Sequence, residues 1–158
     1  MKEIVLVLPD IRSVYNVGSI IRTAAFFGVR KIIYTGYTPY PGDARRSLAR
    51  PGLKLEKVSL GAEKMVENIY QENLDDVIFE LKNEGYKIVA LELAENAVEV
   101  TKFVWPEKCV LIVGNELVGL DKNILATCDA VVQILGTGPK ECLNVASATA
   151  IALSYWTK

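Results

Sequence analysis

The sequence predicts an α/β domain, a parallel sheet with helices on both faces. Three observations carry this expectation. Short continuous apolar runs, of which Ile4-Val5-Leu6-Val7-Leu8 is the first, read as strands buried on both faces. Segments of helical period lie between such runs, so strands and helices alternate along the chain. The 158 residues, 51% hydrophobic and 23% charged, suffice for one domain with a real core and argue against disorder.

The elements follow in order. Pro9 closes the first strand. Residues 15–28 keep a helical period, with Val17, Ile20, Ile21, Ala24 and Phe27 on one face. Asn16 stands at the expected N-cap and Gly28 at the expected C-cap. Lys31–Tyr34 is a second strand. From Gly36 to Lys54 the chain is rich in Pro, Gly and Arg without a period, and so long a loop in a compact domain is usually functional. Val58–Leu60 reads as a short strand and Ala62 to about Ile69 as a helix. Leu74–Asn83 is a stronger helix, stopped by Gly85. Lys87–Leu91 and Cys109–Val113 are strands, Lys122–Thr127 a short helix, and Ala130–Leu135 a strand. The last helix runs from about Leu143 to Trp156, and its apolar residues surround it almost completely. A helix apolar all round is buried on all sides. A second copy of this chain is the expected cover for the side turned away from the sheet, with deep burial inside one chain as the alternative.

Composition excludes several chemistries. There is no histidine, which removes Ser-His-Asp and Cys-His nucleophiles and every histidine-bearing metal site. Cys109, Cys128 and Cys142 form no CxxC pair and are odd in number, so neither a zinc site nor a disulfide framework is expected. The thiols fit a reducing compartment. No apolar run reaches the roughly 18 residues of a membrane span, and the N-terminal residues lack a signal-peptide pattern. A cytoplasmic protein that needs neither metal nor membrane is expected.

The formal charge of -1 conceals an asymmetry. Residues 1–64 hold 11 Lys and Arg against 5 Asp and Glu, whereas residues 65–158 hold 7 against 14. Arg12, Arg22, Arg45, Arg46 and Arg50 belong to the basic part. Such a surface suits a polyanion even on an acidic chain, although a solvated loop would look the same. Arg45, Arg46 and Arg50, close together, are expected on the phosphates of such a polyanion, as is Arg12.

Three segments follow strands with unusual residue choices, where α/β sheets bind ligands. The first is residues 16–24. Here Arg22 lies about 160° from the centre of the apolar face and points outward, either as an ordinary surface arginine or as a planar phosphate-binding group. The second is residues 114–120, where Gly114 and Gly119 flank Asn115 and Glu116 and permit close backbone approach or ordinary turns. The third is residues 136–145. Gly136-Thr137-Gly138 is half a dinucleotide fingerprint, broken by Glu141 at the third glycine position, so a nicotinamide-dependent oxidoreductase is disfavoured. Asn144 can cap the last helix, and Cys142 can be a small buried hydrophobe.

In this order, Asn16-x-x-x-x-x-Arg22, Gly114-x-Glu116-x-x-Gly119 and Leu143-Asn144-Val145 resemble the three motifs of the SpoU/TrmH family. These are RNA 2′-O-ribose methyltransferases of the SPOUT class, and the likeness covers nearly the whole chain. It implies an α/β knot: a five- or six-stranded parallel sheet with a C-terminal trefoil knot whose loops bind S-adenosylmethionine. It implies that Leu91, Gly114, Ile134, Cys142 and Leu143 bind this cofactor. Arg22 would be catalytic, engaging RNA phosphate and easing loss of the hydroxyl proton, while Asn16, Glu116 and Asn144 hold the geometry. It further implies a homodimer with the site at its interface, RNA as partner, and tRNA in preference to rRNA. Cys142 departs from the family's usual serine, and a thiol donates hydrogen bonds weakly. That departure is the one support for an alternative, a non-catalytic RNA-binding or ribosome-assembly module on the same fold.

Overall fold

A computed structural model describes residues 2–45 and 54–158. The described elements are β1 (Glu3–Pro9), α1 (Val14–Phe26), β2 (Lys31–Thr35), α2 (Leu55–Ser59), a 3-10 turn at Ala62–Lys64, β3 (Glu67–Tyr70), α3 (Leu74–Asn83), β4 (Lys87–Leu91), β5 (Val98–Glu99), β6 (Lys108–Val113), α4 (Lys122–Thr127), β7 (Ala130–Gln133) and α5 (Val145–Trp156).

The apolar runs sort their side chains between two cores. Ile4, Leu6 and Leu8 of β1 enter one cluster, and Val5 and Val7 enter the other. In β6, Cys109, Leu111 and Val113 join the first, and Val110 and Ile112 the second. Strand alternation thus produces two buried sheet faces, each of which needs a helical cover. The first face takes α1, α2 and α5, through residues such as Ile20, Leu55 and Leu153. The second takes α3 and α4, through Val77, Leu81 and Ile124. The sheet is parallel throughout, in the order β3-β2-β1-β6-β4-β7-β5. All carboxyl ends therefore point to one edge, where the loops after β1, β4, β6 and β7 meet.

Several elements differ from expectation. Residues 58–60 are not a strand; Val58 and Ser59 end helix α2, whose Leu55 and Ser59 are buried one turn apart. The helix expected over 62–69 is a 3-10 turn followed by β3. Pairing with the free edge of β2, Ile33 opposite Ile69 and Tyr34 opposite Tyr70, overrides the local pattern there. Ser13, not Asn16, caps α1, its hydroxyl accepting the Asn16 N–H at 3.2 Å. This leaves the Asn16 side chain available for other work. Among the described residues the sheet has seven strands rather than five or six, the two-residue β5 having no signal of its own. Helix α5 follows the leading expectation instead, its own chain leaving part of it open. Ala146, Thr149, Ala152, Leu153 and Trp156 are buried, whereas Ala148, Ile151 and Tyr155 are only partly covered.

Candidate active site

A cavity of about 570 Å³ opens at the carboxyl edge of the sheet. Its walls come from the end of β4, the loop 114–119 after β6, the residues following β7 and the start of α5, with Asn16 reaching in from α1. Leu91, Gly114, Ile134, Cys142 and Leu143, all expected to bind cofactor, line it. So do Asn16, Glu116 and Asn144.

The loop after β6 is built around one amide. The Asn115 side chain is buried, and all four of its hydrogen-bonding positions are used. Its oxygen accepts the N–H groups of Leu117 (2.8 Å) and Val118 (3.1 Å); its nitrogen donates to the Asp10 carbonyl (2.5 Å) and the Tyr37 hydroxyl (2.8 Å). The Gly119 N–H closes the turn onto the Asn115 carbonyl at 3.0 Å. Gly119 has φ +67°, a left-handed conformation that favours glycine. A Cβ on Gly114 would stand 2.9 Å from the Gly119 backbone, so the two ends of the loop touch through bare backbone.

Glu116 joins this loop to α1. Its carboxylate accepts the N–H groups of Arg12 (3.0 Å) and Ser13 (3.1 Å), just ahead of the helix, and the Asn16 side-chain amide (3.0 Å). Burial alone would raise its pKa, but the donated bonds, led by the Arg12 N–H and the Asn16 amide, bring it below the ordinary carboxylate value. A fixed anion at a helix N-terminus is also favoured by the helix dipole.

Asn16 then passes the connection on. A carboxylate can only accept, so the Asn16 nitrogen faces Glu116 and its oxygen faces outward. That oxygen accepts the Asn144 side-chain N–H at 2.9 Å. The Asn144 oxygen in turn accepts the N–H groups of Ala146 (2.9 Å) and Ser147 (3.3 Å), capping α5. One hydrogen-bonded chain thus runs from the N-terminus of α5 through Asn144, Asn16 and Glu116 to the N-terminus of α1, and every amide orientation along it is dictated by its neighbours.

The arginines fare differently. Arg22 is exposed, makes no hydrogen bond or ion pair among the described residues, and is not on the cavity wall. It lies six residues beyond Asn16, about 9 Å along the helix axis. With Tyr15, Ser19 and Phe26 it forms an outward stripe in which Tyr15 is 63% and Phe26 82% exposed. Arg12 contributes its backbone to the Glu116 carboxylate. Arg45 is committed to neighbours in its own chain. Its guanidinium bonds both Asp43 carboxylate oxygens (2.8 and 2.9 Å) and lies 4.8 Å from the Tyr70 ring centroid and 5.3 Å from that of Tyr40. Arg46 and Arg50 lie outside the described residues.

Sequence reasoning missed Glu92 and singled out Asn115 only as polar. Glu92 follows β4 and takes the Leu93 N–H on one oxygen and the Leu120 N–H on the other, both at 2.9 Å. Its acidity directly after a buried strand was the available signal. Among the described residues no cluster of acidic or cysteine side chains is arranged to hold a metal ion.

Known proteins resemble this chain along almost its full length. It is 28% identical over 152 residues to the tRNA (guanosine(18)-2′-O)-methyltransferase of Aquifex aeolicus, covering 96% of this chain and 67% of that protein. It is 29% identical over 153 residues to the 23S rRNA (guanosine-2′-O-)-methyltransferase RlmB of Acinetobacter baylyi, covering 96% and 58%. The solved AdoMet-bound rRNA methyltransferase from Sinorhizobium meliloti superposes with a TM-score of 0.84 at 28% identity, over 98% of this chain and 55% of that one. The chain spans 67% of the Aquifex protein and 61% of the Escherichia coli protein that carries the same name. Residues 3–154 match the SpoU rRNA Methylase family, and the chain belongs to it.

Proposed function

We propose that this chain transfers a methyl group from S-adenosylmethionine to a ribose 2′-hydroxyl of RNA. The observation that carries the reading is the hydrogen-bonded chain Asn144–Asn16–Glu116 on the wall of a ligand-sized cavity. Three segments far apart in sequence are held in register there by side-chain hydrogen bonds. Family membership and the likeness to an AdoMet-bound rRNA methyltransferase support it.

The residues present fit the cofactor. At Gly114 and Gly119 the wall is backbone with the Glu92 carboxylate against it, Leu91 and Ile134 are apolar, and no lysine or arginine lines the cavity to repel a cationic ligand. Bound there, a sulfonium would supply an activated methyl carbon, which a ribose oxygen takes by in-line displacement, leaving a thioether. The protein's part is alignment and help with the departing hydroxyl proton. Asn16, Glu116 and Asn144 fix the loops that align the two reactants. Arg22 neutralises an RNA phosphate next to the target ribose.

Because Arg22 stands off the cavity of its own chain, the reading is completed by a homodimer in which it serves the partner's cavity. The outward stripe of α1 and the half-open face of α5, carried on two helices that pack against each other within the chain, support that interface. We further propose a single domain over the chain, closed by a trefoil knot and working in the cytoplasm. The placing of β6 between β1 and β4, with β7 beyond β4, supports the knot. RNA phosphates are contacted through Arg12, Arg46 and Arg50, while Arg45 is held by Asp43. A tRNA substrate is supported by the likeness to the Aquifex enzyme, and an rRNA product would redirect that part alone.

Calorimetric titration with S-adenosylmethionine tests the reading. Saturable one-to-one binding per chain, lost in Gly114→Val, is expected. No heat at high protein concentration would favour the non-catalytic RNA-binding module.

A further inference from the structure

The charged side chains on the cavity wall all have the same sign. Glu92, Glu116 and Glu141 are there, with no lysine or arginine. Their circumstances differ. Glu116 is occupied by three N–H donors at the start of α1. Glu141 is exposed at the rim.

Glu92 is anchored in the wall and keeps free acceptor capacity. Each of its oxygens accepts a single backbone N–H, from Leu93 and from Leu120, which fixes the carboxylate and leaves each oxygen a second acceptor position. The loop opposite has made room for it. A Cβ on Gly119 would fall 2.3 Å from a Glu92 oxygen, and one on Gly114 2.9 Å from the same atom. Both motif glycines therefore face this carboxylate, and loop 114–119 closes around a negative charge.

Neutral ligand groups gain little from such a charge, whereas a cationic group is attracted with a strength set by distance and local dielectric. Methyl transfer removes one positive charge from the donor: the C–S bond pair stays on sulfur, the methyl goes to oxygen, and the hydroxyl proton goes to water. We infer that Glu92 is a specificity residue by which the cavity holds the charged sulfonium donor more tightly than the uncharged thioether it becomes, so that turnover itself weakens the product's hold. This rests on the cofactor reading given above.

The test is calorimetry with S-adenosylmethionine and S-adenosylhomocysteine on the wild type, Glu92→Gln and Glu92→Asp. The wild type is expected to prefer the sulfonium by about tenfold, the scale of one screened charge pair at close range. Glu92→Gln should reduce that ratio to within about threefold, chiefly by weakening the sulfonium, and Glu92→Asp should restore much of it. Equal loss of both ligands in Glu92→Gln would make Glu92 a mere loop clamp and overturn the inference. Should Glu92→Gln fail to fold, sinefungin, whose amine replaces the methylsulfonium, is titrated into the wild type and Glu141→Gln: affinity close to the donor's in both supports the inference, and affinity close to the thioether's in either overturns it. Binding of neither ligand would overturn the cofactor reading, whereas binding of both without preference overturns this inference only.

Discussion

Asn144 does two jobs with one amide, and they can be separated. Its oxygen caps α5 and its nitrogen holds Asn16. Serine caps helices about as well as asparagine but is too short to keep the second contact. Asn144→Ser is therefore expected to cost under about 0.5 kcal/mol in unfolding free energy, read from denaturant curves. Its methyl transfer should fall at least about tenfold, the rate equivalent of one lost orienting bond. Equal activity would detach the amide chain from the mechanism. The cysteines give a second prediction at this scale. Burial pushes the Cys109 thiol up to about 12 and Cys128 up to about 11, so neither offers much thiolate at neutral pH. Cys142 is exposed and lies on the cavity wall. Iodoacetamide should label Cys142 first, and saturating cofactor should slow that labelling several-fold. Peptide mass spectrometry reads both, and labelling unaffected by cofactor would place Cys142 outside the bound ligand's reach. The residue choices around the site were legible in proportion to their chemistry. Asn16, Glu116 and Asn144 stood out by spacing, but no spacing could say that they bond to one another. Glu92 was lost because its meaning depends on Leu120 and two glycines brought near it only by folding.

Among the elements, α1 and α2 meet at a glycine. A Cβ on Gly18 would sit 2.5 Å from Val58 Cγ1 and 2.6 Å from Val58 Cβ, and the branched valine has no flexible end to yield. Gly18→Ala should therefore destabilise the fold by about 1–3 kcal/mol, the usual cost of overpacking, despite alanine's better helix propensity. Stability equal to or above the wild type's would show that the two helices part freely. The same pair marks where sequence reading failed. Lys57-Val58-Ser59-Leu60 carries a β-branched residue and looks like strand, but Leu55 and Ser59 are buried on one side of a single helical turn. Residues 67–70 look helical in isolation and become strand because β2 offers an unpaired edge. By contrast α3, α4 and β4 have the bounds expected of them, since Asn73 and Asp121 cap the two helices and β4 is a continuous apolar run.

At the scale of the whole molecule, the unanswered residue is Arg22, outward-facing and off the cavity its own chain forms. A homodimer that supplies it across the interface makes a distinctive prediction. Arg22→Ala and Asn16→Ala chains should each transfer little, yet co-refolded together they should recover about a quarter of wild-type activity, because half the dimers then hold one complete site. No recovery in demonstrably mixed dimers would put Arg22 to work within its own chain or remove it from the reaction. The sheet and its two helical layers were legible from strand runs alone, and the all-round apolarity of α5 announced a face that its own chain leaves partly open.

The central claim is that three loops tied by Asn144, Asn16 and Glu116 form a site for methylating RNA ribose. The most direct measurement incubates the purified protein with S-adenosylmethionine carrying a trideuterated methyl group and with total RNA, then digests the RNA to nucleosides for mass spectrometry. The account predicts a deuterated 2′-O-methylnucleoside, its label on the ribose fragment, that disappears with Arg22→Ala. Label confined to bases, or none above a protein-free control across tRNA and rRNA fractions, would contradict it.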